Sequence, residues 1–351
     1  MVKVCVFGAG AIGGYMAAAL DKAGADVSII ARGEHLEAIK ANGLRLRKDG
    51  AETVHRVHAT SDASELGVQD YVIIGVKAHA IAPVINSFGP LLGSGTAIVP
   101  ALNGIPWWYF HGLASGHEGH HPWLESVDPG GVQWRFFGPA RAIGCVVYPA
   151  CDVPEPGVIN HKSGDRFTLG EPDGSDSQRL HILSDMLIAG GLKAPRKARL
   201  RDEIWIKLWG NCSFNPVSAL TGASLDLIGA DDALCGVIYK MMEECRRVGE
   251  SLGARFSVDI PQRMKGGISI IGHKPSTRHD VELGRPMEID PLVSSVLELA
   301  RRQKIETPTL DAIAALLRMQ GQILGLYSRQ TDVEERILPD DLRDFAARLL
   351  P

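Results

Sequence analysis

The chain has 351 residues, of which 45% are hydrophobic and 22% are charged, and its 37 basic and 41 acidic side chains give a formal net charge of −4. This composition is that of a globular protein, and the length favours two domains. The near balance of charge argues against binding to nucleic acid or a membrane surface, because both need a clustered basic excess.

The cysteines and the apolar N-terminus bear on the cellular compartment. No C-x-x-C pair occurs, so we expect small buried hydrophobic residues and no disulfide framework; the cysteines are Cys5, Cys145, Cys151, Cys212, Cys235 and Cys245. No apolar stretch is long enough for a transmembrane helix, and glycines interrupt the apolar N-terminus, which argues against a signal sequence. We therefore predict a cytoplasmic protein.

Short apolar runs alternate with a helical stretch in the first half of the chain. They predict strands at 2–7, 27–31, 71–76 and 96–102, a helix at 15–23, and β-like runs at 142–148, 158–161 and 166–169. This alternation predicts an open α/β sheet with an antiparallel extension after about residue 140.

Helical periodicity dominates the second half. The predicted helices cover 200–219, 230–253, 291–304 and 308–321, and glycine, proline and charged residues separate them. We therefore expect an α/β domain at residues 1–197 and an all-helical domain at residues 198–351.

The stretch 106–137 contains four of the six tryptophans and four of the twelve histidines. We interpret it as a long loop or insertion, since it is too irregular for a helix or strand and too aromatic for a plain linker. A zinc site is one alternative, but no cysteine accompanies the histidines, so a solvated loop without metal is preferred; they are His111, His117, His120 and His121. The adjacent Trp107 and Trp108 are interpreted as anchors packed on the domain and not as a ligand platform.

A glycine-rich turn follows the first predicted strand, with the sequence Gly8-Ala9-Gly10-Ala11-Ile12-Gly13. Between a strand and a helix, this G-x-G-x-x-G pattern is informative for dinucleotide binding. Gly8 would allow the tight turn, Gly10 the approach of a pyrophosphate and Gly13 the close packing of the helix, whose N-terminal N–H groups would bind the anion. The pattern predicts a Rossmann domain, with a purely structural turn as the alternative.

The end of the second strand indicates which dinucleotide is bound. NAD sites usually place Asp or Glu there, whereas this strand ends in Ala31-Arg32. A guanidinium suits the additional 2′-phosphate of NADP, so we predict NADPH as the cofactor. An exposed arginine without a ligand is the alternative.

Three polar residues recur every four positions in the predicted helix 200–219, namely Lys207, Asn211 and Asn215. They therefore share one stripe of the helix. An apolar face lies beside the stripe, formed by Trp205, Trp209 and Cys212. A lysine and two carboxamides in this setting suit an active site, although a stripe facing water has the same periodicity.

Another polar constellation covers residues 276–290. Its first part, 276–280, has the character of a loop, and Glu288 would lie just before the helix predicted after Pro291. An acidic residue near a helix start often only complements the helix dipole. The residues by themselves leave both roles open for Glu288.

Taken in order, these motifs resemble those of the ketopantoate reductases (2-dehydropantoate 2-reductases), over about residues 1–325. The resemblance rests on G-x-G-x-x-G, Val76-Lys77-Ala78, Asn103-Gly104, Lys207-x-x-x-Asn211-x-x-x-Asn215-Pro216, Ser276-x-x-x-Asp280 and Glu288-Ile289-Asp290. It implies a Rossmann domain joined to a helical domain, with the active site between them. It also implies reduction of ketopantoate to (R)-pantoate by NADPH, on the route to pantothenate and coenzyme A.

The same resemblance implies roles for individual residues. Lys207 would donate the proton as hydride arrives, because an ammonium group both stabilises the developing alkoxide and can protonate it. Glu288 would accept a hydrogen bond from the far hydroxyl of the substrate, and Lys77 would lie beside the ribose or phosphates of the cofactor. Neutral hydrogen bonds to the substrate would come from Asn103, Asn211, Asn215 and Ser276, with Asn103 also beside the cofactor.

Two other functions stay open on the sequence alone. One is the NADPH-dependent reduction of another branched or aromatic 2-oxo acid, with the 106–137 stretch covering or reshaping the pocket. The other is a cofactor-binding sensor without turnover, against which the retained Lys207 and Glu288 argue. A homodimer is an option that the apolar helices leave open.

Overall fold

In the computed structural model of the protein, the residues described are 1–113 and 119–328. The first half of the chain contains, in order, β1 (Lys3–Phe7), α1 (Ala11–Lys22), β2 (Asp26–Ile30), α2 (Gly33–Asn42), β3 (Leu44–Lys48), β4 (Ala51–His55), β5 (His58–Thr60), β6 (Tyr71–Ile74), β7 (Ala97–Pro100), α3 (Val132–Phe137), β8 (Gly144–Val147), β9 (Ala150–Glu155), β10 (Val158–Ser163), β11 (Phe167–Gly170) and α4 (Gln178–Ala189).

A five-stranded parallel sheet forms the centre of this half, in the order β5-β2-β1-β6-β7. Val4 in β1 pairs with Val27 on one side and Tyr71 on the other, and all three side chains are buried. Strands covered on both faces need such continuous apolar runs. The strand order reverses beside β1, so the carboxyl ends of β1 and β6 border the crevice where ligands of such sheets bind.

Antiparallel strands do follow residue 140, as predicted, but they do not extend the central sheet. β10 pairs antiparallel with β9 and parallel with β3, in a separate sheet of order β4-β3-β10-β9, and β8 pairs with β11. A single bridge links Ala142 to Ile98 of the central sheet. β3 was not predicted because its sequence is rich in charged residues, such as Arg45 and Arg47.

Helices make up the second half of the described chain. They are α5 (Leu200–Thr221), α6 (Leu225–Gly229), α7 (Asp232–Ser251), α8 (Ile260–Ile268), α9 (Ser276–Glu282), α10 (Ser295–Arg302) and α11 (Pro308–Ile323). The four predicted helices are confirmed, and α10 is preceded by a π-helical turn at Asp290–Ser294. The loop expected at 276–280 is wrong, since these residues form α9. The domain boundary at 197/198 stays a prediction.

The stretch 106–137 is not entirely irregular, because it contains the short helix α3. Its first aromatic residues are buried in the core, Trp107 and Trp108 among them, as expected of anchors. Arg201 at the start of α5 donates to the Tyr109 carbonyl oxygen at 2.9 and 2.7 Å, and Trp205 Nε1 donates to the Tyr109 hydroxyl at 2.8 Å. The stretch therefore packs between the sheet and the helices.

The later part of this stretch is anchored to α10. Glu298 accepts hydrogen bonds from the backbone N–H groups of Glu125 and Ser126, at 3.0 and 2.8 Å. Arg302 donates to the Trp123 carbonyl oxygen at 2.6 Å. The insertion thus connects the two halves of the molecule. Of the four histidines in this stretch, His117 lies outside the described residues.

All six cysteines are free. Four of them are buried, as expected of small hydrophobic residues, whereas Cys151 and Cys235 are only partly buried. Within residues 1–113 and 119–328, no group of three His, Cys, Asp or Glu residues is arranged to hold a metal ion. In the same ranges, none of the helices combines the length and apolar character that crossing a membrane requires.

Candidate active site

The glycine motif forms a tight turn at the carboxyl end of β1. Gly8 has a φ of +99°, which favours glycine. A Cβ at Gly8 would lie 2.8 Å from the Val76 backbone nitrogen, and one at Gly13 would overlap the Gly8 carbonyl oxygen. Only glycine at both positions lets β1, β6 and α1 approach this closely.

The outer side of the same turn has room for a phosphate. Gly10 is exposed, and a Cβ there would meet only the Gly75 carbonyl oxygen, at 3.9 Å. Gly10 also precedes α1, so the first N–H groups of that helix, which have no partner within it, border this space. The turn Gly8-Ala9-Gly10-Ala11-Ile12-Gly13 therefore fits a dinucleotide pyrophosphate.

Arg32 lies two residues after β2 and immediately before α2, with its side chain exposed. β2 is the neighbour of β1 in the sheet. Arg32 consequently stands at the same edge as the glycine turn, where the ribose of a bound dinucleotide would lie. Its position suits the contact predicted for a 2′-phosphate.

Lys77 follows β6 at this edge, but its ammonium group already has partners. Its Nζ lies 2.8 Å from Asp280 Oδ2 in α9 and donates to the Pro286 carbonyl oxygen, also at 2.8 Å. Both partners belong to the helical half of the chain. Lys77 therefore links the two halves at the border of the predicted cofactor site.

Lys207 and Asn103 meet across the two halves of the molecule. Lys207 lies within α5, and Asn103 lies in the segment that follows β7. The Lys207 Nζ donates a hydrogen bond to Asn103 Oδ1 at 2.7 Å. Neither periodicity nor spacing predicted this contact. It holds the lysine at the carboxyl edge of the sheet, where the dinucleotide site begins.

The polar stripe of α5 faces a cleft and not bulk water. Lys207, Asn211 and Asn215 line one cavity together with Asn103 and Ser276. Asn215 Nδ2 lies 3.4 Å from Ser276 Oγ, so α9 faces the stripe. Ile12 of the glycine turn lines the same cavity. Five of the predicted site residues are thus brought together beside the cofactor turn.

The surroundings of Lys207 change its acidity. Burial lowers the pKa of Lys207 to about 8, and the positive charge of Arg263 acts in the same direction, whereas Glu288 opposes it. The Lys207 Nζ also lies 5.6 Å from the ring centroid of Tyr148. Such a lysine can release its proton near neutral pH, as a general acid must.

Glu288 does not line the cleft that the polar stripe of α5 faces. It lines a neighbouring cavity with His79, Ser126 and Tyr327. Burial raises the pKa of Glu288, while the nearby charge of Lys77 and a backbone hydrogen bond from Ala78 lower it. The structure brings Glu288 next to Lys77 and not next to Asn211.

An apolar cavity opens on another side of Lys207. Its lining includes Trp107, Trp108, Cys145, Ile204, Lys207 and Leu208. The two tryptophans come from the start of the 106–137 stretch. The 106–137 stretch therefore forms part of the wall beside Lys207. The sequence alone left open whether this stretch covers or reshapes the pocket.

Sequence reasoning missed two polar residues of the cleft. Tyr148 donates to Glu203 Oε2 at 2.8 Å and lies under the guanidinium of Arg166, 3.8 Å from its ring centroid. Arg263 in α8 lines the same cleft as Lys207. No motif contains either residue, so only the packing of α8 and β8 against α5 reveals them.

Comparisons with known proteins find similar proteins for both halves of the chain. Residues 4–108 match the family model described as ketopantoate reductase PanE/ApbA, and residues 199–321 match the model of the C terminal part of that family. A 2-dehydropantoate 2-reductase from Mesorhizobium japonicum is 51% identical, over 93% of this chain and 100% of the relative.

Two solved structures are similar over nearly the whole chain. A protein from Ralstonia solanacearum is 38% identical with a TM-score of 0.88, covering 93% of this chain and 100% of its own. The ternary structure of D-mandelate dehydrogenase with NADH and anilino(oxo)acetate has a TM-score of 0.77 at 20% identity, covering 93% and 100%. The second likeness shows the fold alone.

Proposed function

This chain belongs to the ketopantoate reductase family and is an oxidoreductase, and we propose that it reduces 2-dehydropantoate (ketopantoate) to (R)-pantoate with NADPH. The observation that carries the proposal is the Lys207–Asn103 contact, since it holds an ammonium group in the cleft that Ile12 of the glycine turn, Asn211 and Asn215 also line. The product would serve pantothenate and coenzyme A biosynthesis. A cytoplasmic location and a homodimer stay predictions.

When bound, NADPH would supply the hydride for C2 of the substrate. Lys207 donates its proton to the 2-oxo oxygen, so that the carbonyl becomes a hydroxyl group. Asn103 accepts a hydrogen bond from Lys207 and so orients the ammonium group toward the cleft. The lowered pKa of Lys207 favours proton release as charge develops on the oxygen.

Other residues would hold the two reactants in place. Asn211, Asn215 and Ser276 would orient the substrate with neutral hydrogen bonds, since all three line the cleft. The α1 N-terminus would bind the pyrophosphate and Arg32 the 2′-phosphate. Because Glu288 lines the neighbouring cavity, its contact with the far hydroxyl of the substrate stays a prediction.

A second candidate substrate is another branched or aromatic 2-oxo acid. The apolar lining beside Lys207, which includes Trp108, Ile204 and Leu208, favours it. The cavity has a volume of only about 30 Å³, so a larger side chain enters it only if these residues move apart. The reaction and the proton donor would be the same. The two candidates differ only in what fills this cavity.

A substrate panel tests both candidates. NADPH oxidation is followed by the loss of its near-ultraviolet absorbance, with ketopantoate, 2-oxoisovalerate and phenylglyoxylate as alternative substrates. The highest kcat/KM with ketopantoate supports the first candidate, and the highest value with 2-oxoisovalerate or phenylglyoxylate supports the second. If no 2-oxo acid is reduced while NADPH binds, the proposed function is wrong.

The cofactor preference has its own prediction. Replacing Arg32 with alanine should raise the KM for NADPH by about 10- to 100-fold, because charged hydrogen bonds to the 2′-phosphate are lost, and should leave the KM for NADH nearly unchanged. Steady-state kinetics with both dinucleotides measure this. Lys40→Ala, at an exposed position of α2, is the matched control. Equal effects on NADPH and NADH would show that Arg32 does not bind the 2′-phosphate.

A further inference from the structure

The cleft that contains Lys207 is lined by more basic than acidic side chains. Its lysine and arginine residues are Lys162, Lys207, Arg263 and Lys274, and its acidic residues are Asp152 and Glu282. Lys162 lies 2.7 Å from Asp152, and Lys274 lies 2.9 Å from Glu282. Among the residues that the structure describes, no carboxylate oxygen lies within 4.0 Å of Lys207 or Arg263.

Arg263 reaches this cleft from α8 by packing on α5. Its guanidinium lies against Gly210, where a Cβ would overlap Nη2. Gly210 is three positions after Lys207, and side chains at this spacing lie on the same face of a helix. The Arg263 guanidinium therefore lies over the part of α5 that carries Lys207.

The surroundings of Arg263 supply no neutralising charge. Burial lowers its pKa, and the groups that oppose this effect are the phenol of Tyr148 and the thiol of Cys212. Burial raises the pKa of Tyr148 above its usual range, so the phenol is neutral at physiological pH. Arg263 is half-buried, and a partly desolvated cation without a partner is costly. A carboxylate is one of the anions that match a guanidinium, through two parallel hydrogen bonds.

We propose that Arg263 binds the carboxylate of the substrate and selects 2-oxo acids over uncharged 2-oxo compounds. The inference rests on the proposed function, since it requires a 2-oxo acid in the cleft. In such a molecule the carboxylate is bonded directly to the carbonyl carbon. A substrate whose 2-oxo oxygen faces Lys207 therefore keeps its carboxylate on the same stretch of α5, beside Arg263.

Gly210 is part of the same arrangement. Any larger residue would displace the guanidinium, although a helix interior generally favours alanine over glycine. Gly210→Ala should thus move Arg263 without removing its charge or weakening α5. This gives a second variant that does not depend on how Arg263 variants fold.

The test measures substrate binding and turnover in the NADPH-dependent enzyme. Arg263→Met should raise the KM for ketopantoate by about 10- to 100-fold, with a much smaller change for the uncharged ketopantolactone. Calorimetry should show the same loss of ketopantoate affinity in the NADP⁺-saturated protein. Arg263→Lys should recover part of the affinity, and Gly210→Ala should show a smaller loss. Lys265→Met, at an exposed position of the same helix, is the control for charge.

Several outcomes would overturn the proposal. An unchanged ketopantoate affinity in folded Arg263→Met overturns it while leaving the proposed function intact. An equal loss for ketopantolactone, or a loss confined to NADPH, assigns Arg263 to packing or to the cofactor. If the unaltered protein reduces no 2-oxo acid, the proposed function fails, and calorimetry with ketopantoate alone still decides whether Arg263 binds a carboxylate.

Discussion

Replacing Lys207 with methionine is expected to lower kcat by about 100- to 10,000-fold, the usual contribution of a positioned general acid. The NADPH dissociation constant should stay nearly unchanged, because the hydrogen bond of Lys207 goes to Asn103 and not to a residue of the glycine turn. Kinetics of NADPH oxidation and fluorescence titration with NADPH measure the two quantities separately.

The variant should fold, since methionine has a similar length and removes a desolvated charge. The cost is the hydrogen bond to Asn103, worth about 1 kcal/mol. Lys265→Met, on the exposed face of α8, should behave like the unaltered enzyme. A Lys207→Met variant that keeps most of its kcat would rule out the proposed proton donor.

The pH dependence offers a second measurement on the same residue. Since the protonated amine is the donor and burial lowers its pKa to about 8, kcat/KM should fall as pH rises through 8. The free energy of unfolding should change in the opposite direction. The ordinary value is 10.5, so between pH 8 and 10.5 the unfolded chain binds more protons than the folded one, and the free energy of unfolding rises with pH. Lys207→Met should lack both changes.

Replacing Gly13 with alanine is expected to lower kcat/KM for NADPH by about 100-fold, the scale of a misplacement of about 1 Å. The added Cβ overlaps the Gly8 carbonyl oxygen and lies 3.1 Å from Val6 Cγ1. Because the obstacle is backbone, α1 must move away from β1, and the phosphate-binding N–H groups move with it. The free energy of unfolding should fall by about 3 kcal/mol, at the upper end of overpacking costs.

A matched glycine separates this effect from the general consequences of adding a methyl group. Gly236 lies exposed in α7, and a Cβ there would meet nothing within 4 Å. Gly236→Ala should raise the unfolding free energy by about 0.5–1 kcal/mol. Thermal melts and NADPH titrations of both variants compare the two positions. Unchanged stability and NADPH affinity in Gly13→Ala would contradict the assigned packing.

The sequence failed to predict β3 and predicted a loop where α9 lies, and the charged and polar residues of these two segments explain why. β3 carries Arg45, Arg47 and Lys48, and its partners are β4 and the distant β10. α9 begins with Ser276 and Thr277, which are weak helix formers. In both places, packing against other elements outweighs the local preference of the residues.

The sequence by itself determined the features that depend on neighbouring residues along the chain. The glycine turn, the parallel strands and the stripe of Lys207, Asn211 and Asn215 follow from local spacing, because the geometry of a helix or strand repeats over a few residues. The order of these motifs also sufficed for the resemblance to the family, which the comparisons confirm.

Only the tertiary structure decided which distant residues meet. Asn103 and Lys207 are 104 positions apart, and the guanidinium of Arg263 reaches the cleft because Gly210 leaves space on another helix. Glu288 lines the neighbouring cavity because the segment before α10 packs beside Lys77. Such contacts depend on how helices and sheet pack in three dimensions, and the periodicity of any single segment carries no record of that packing.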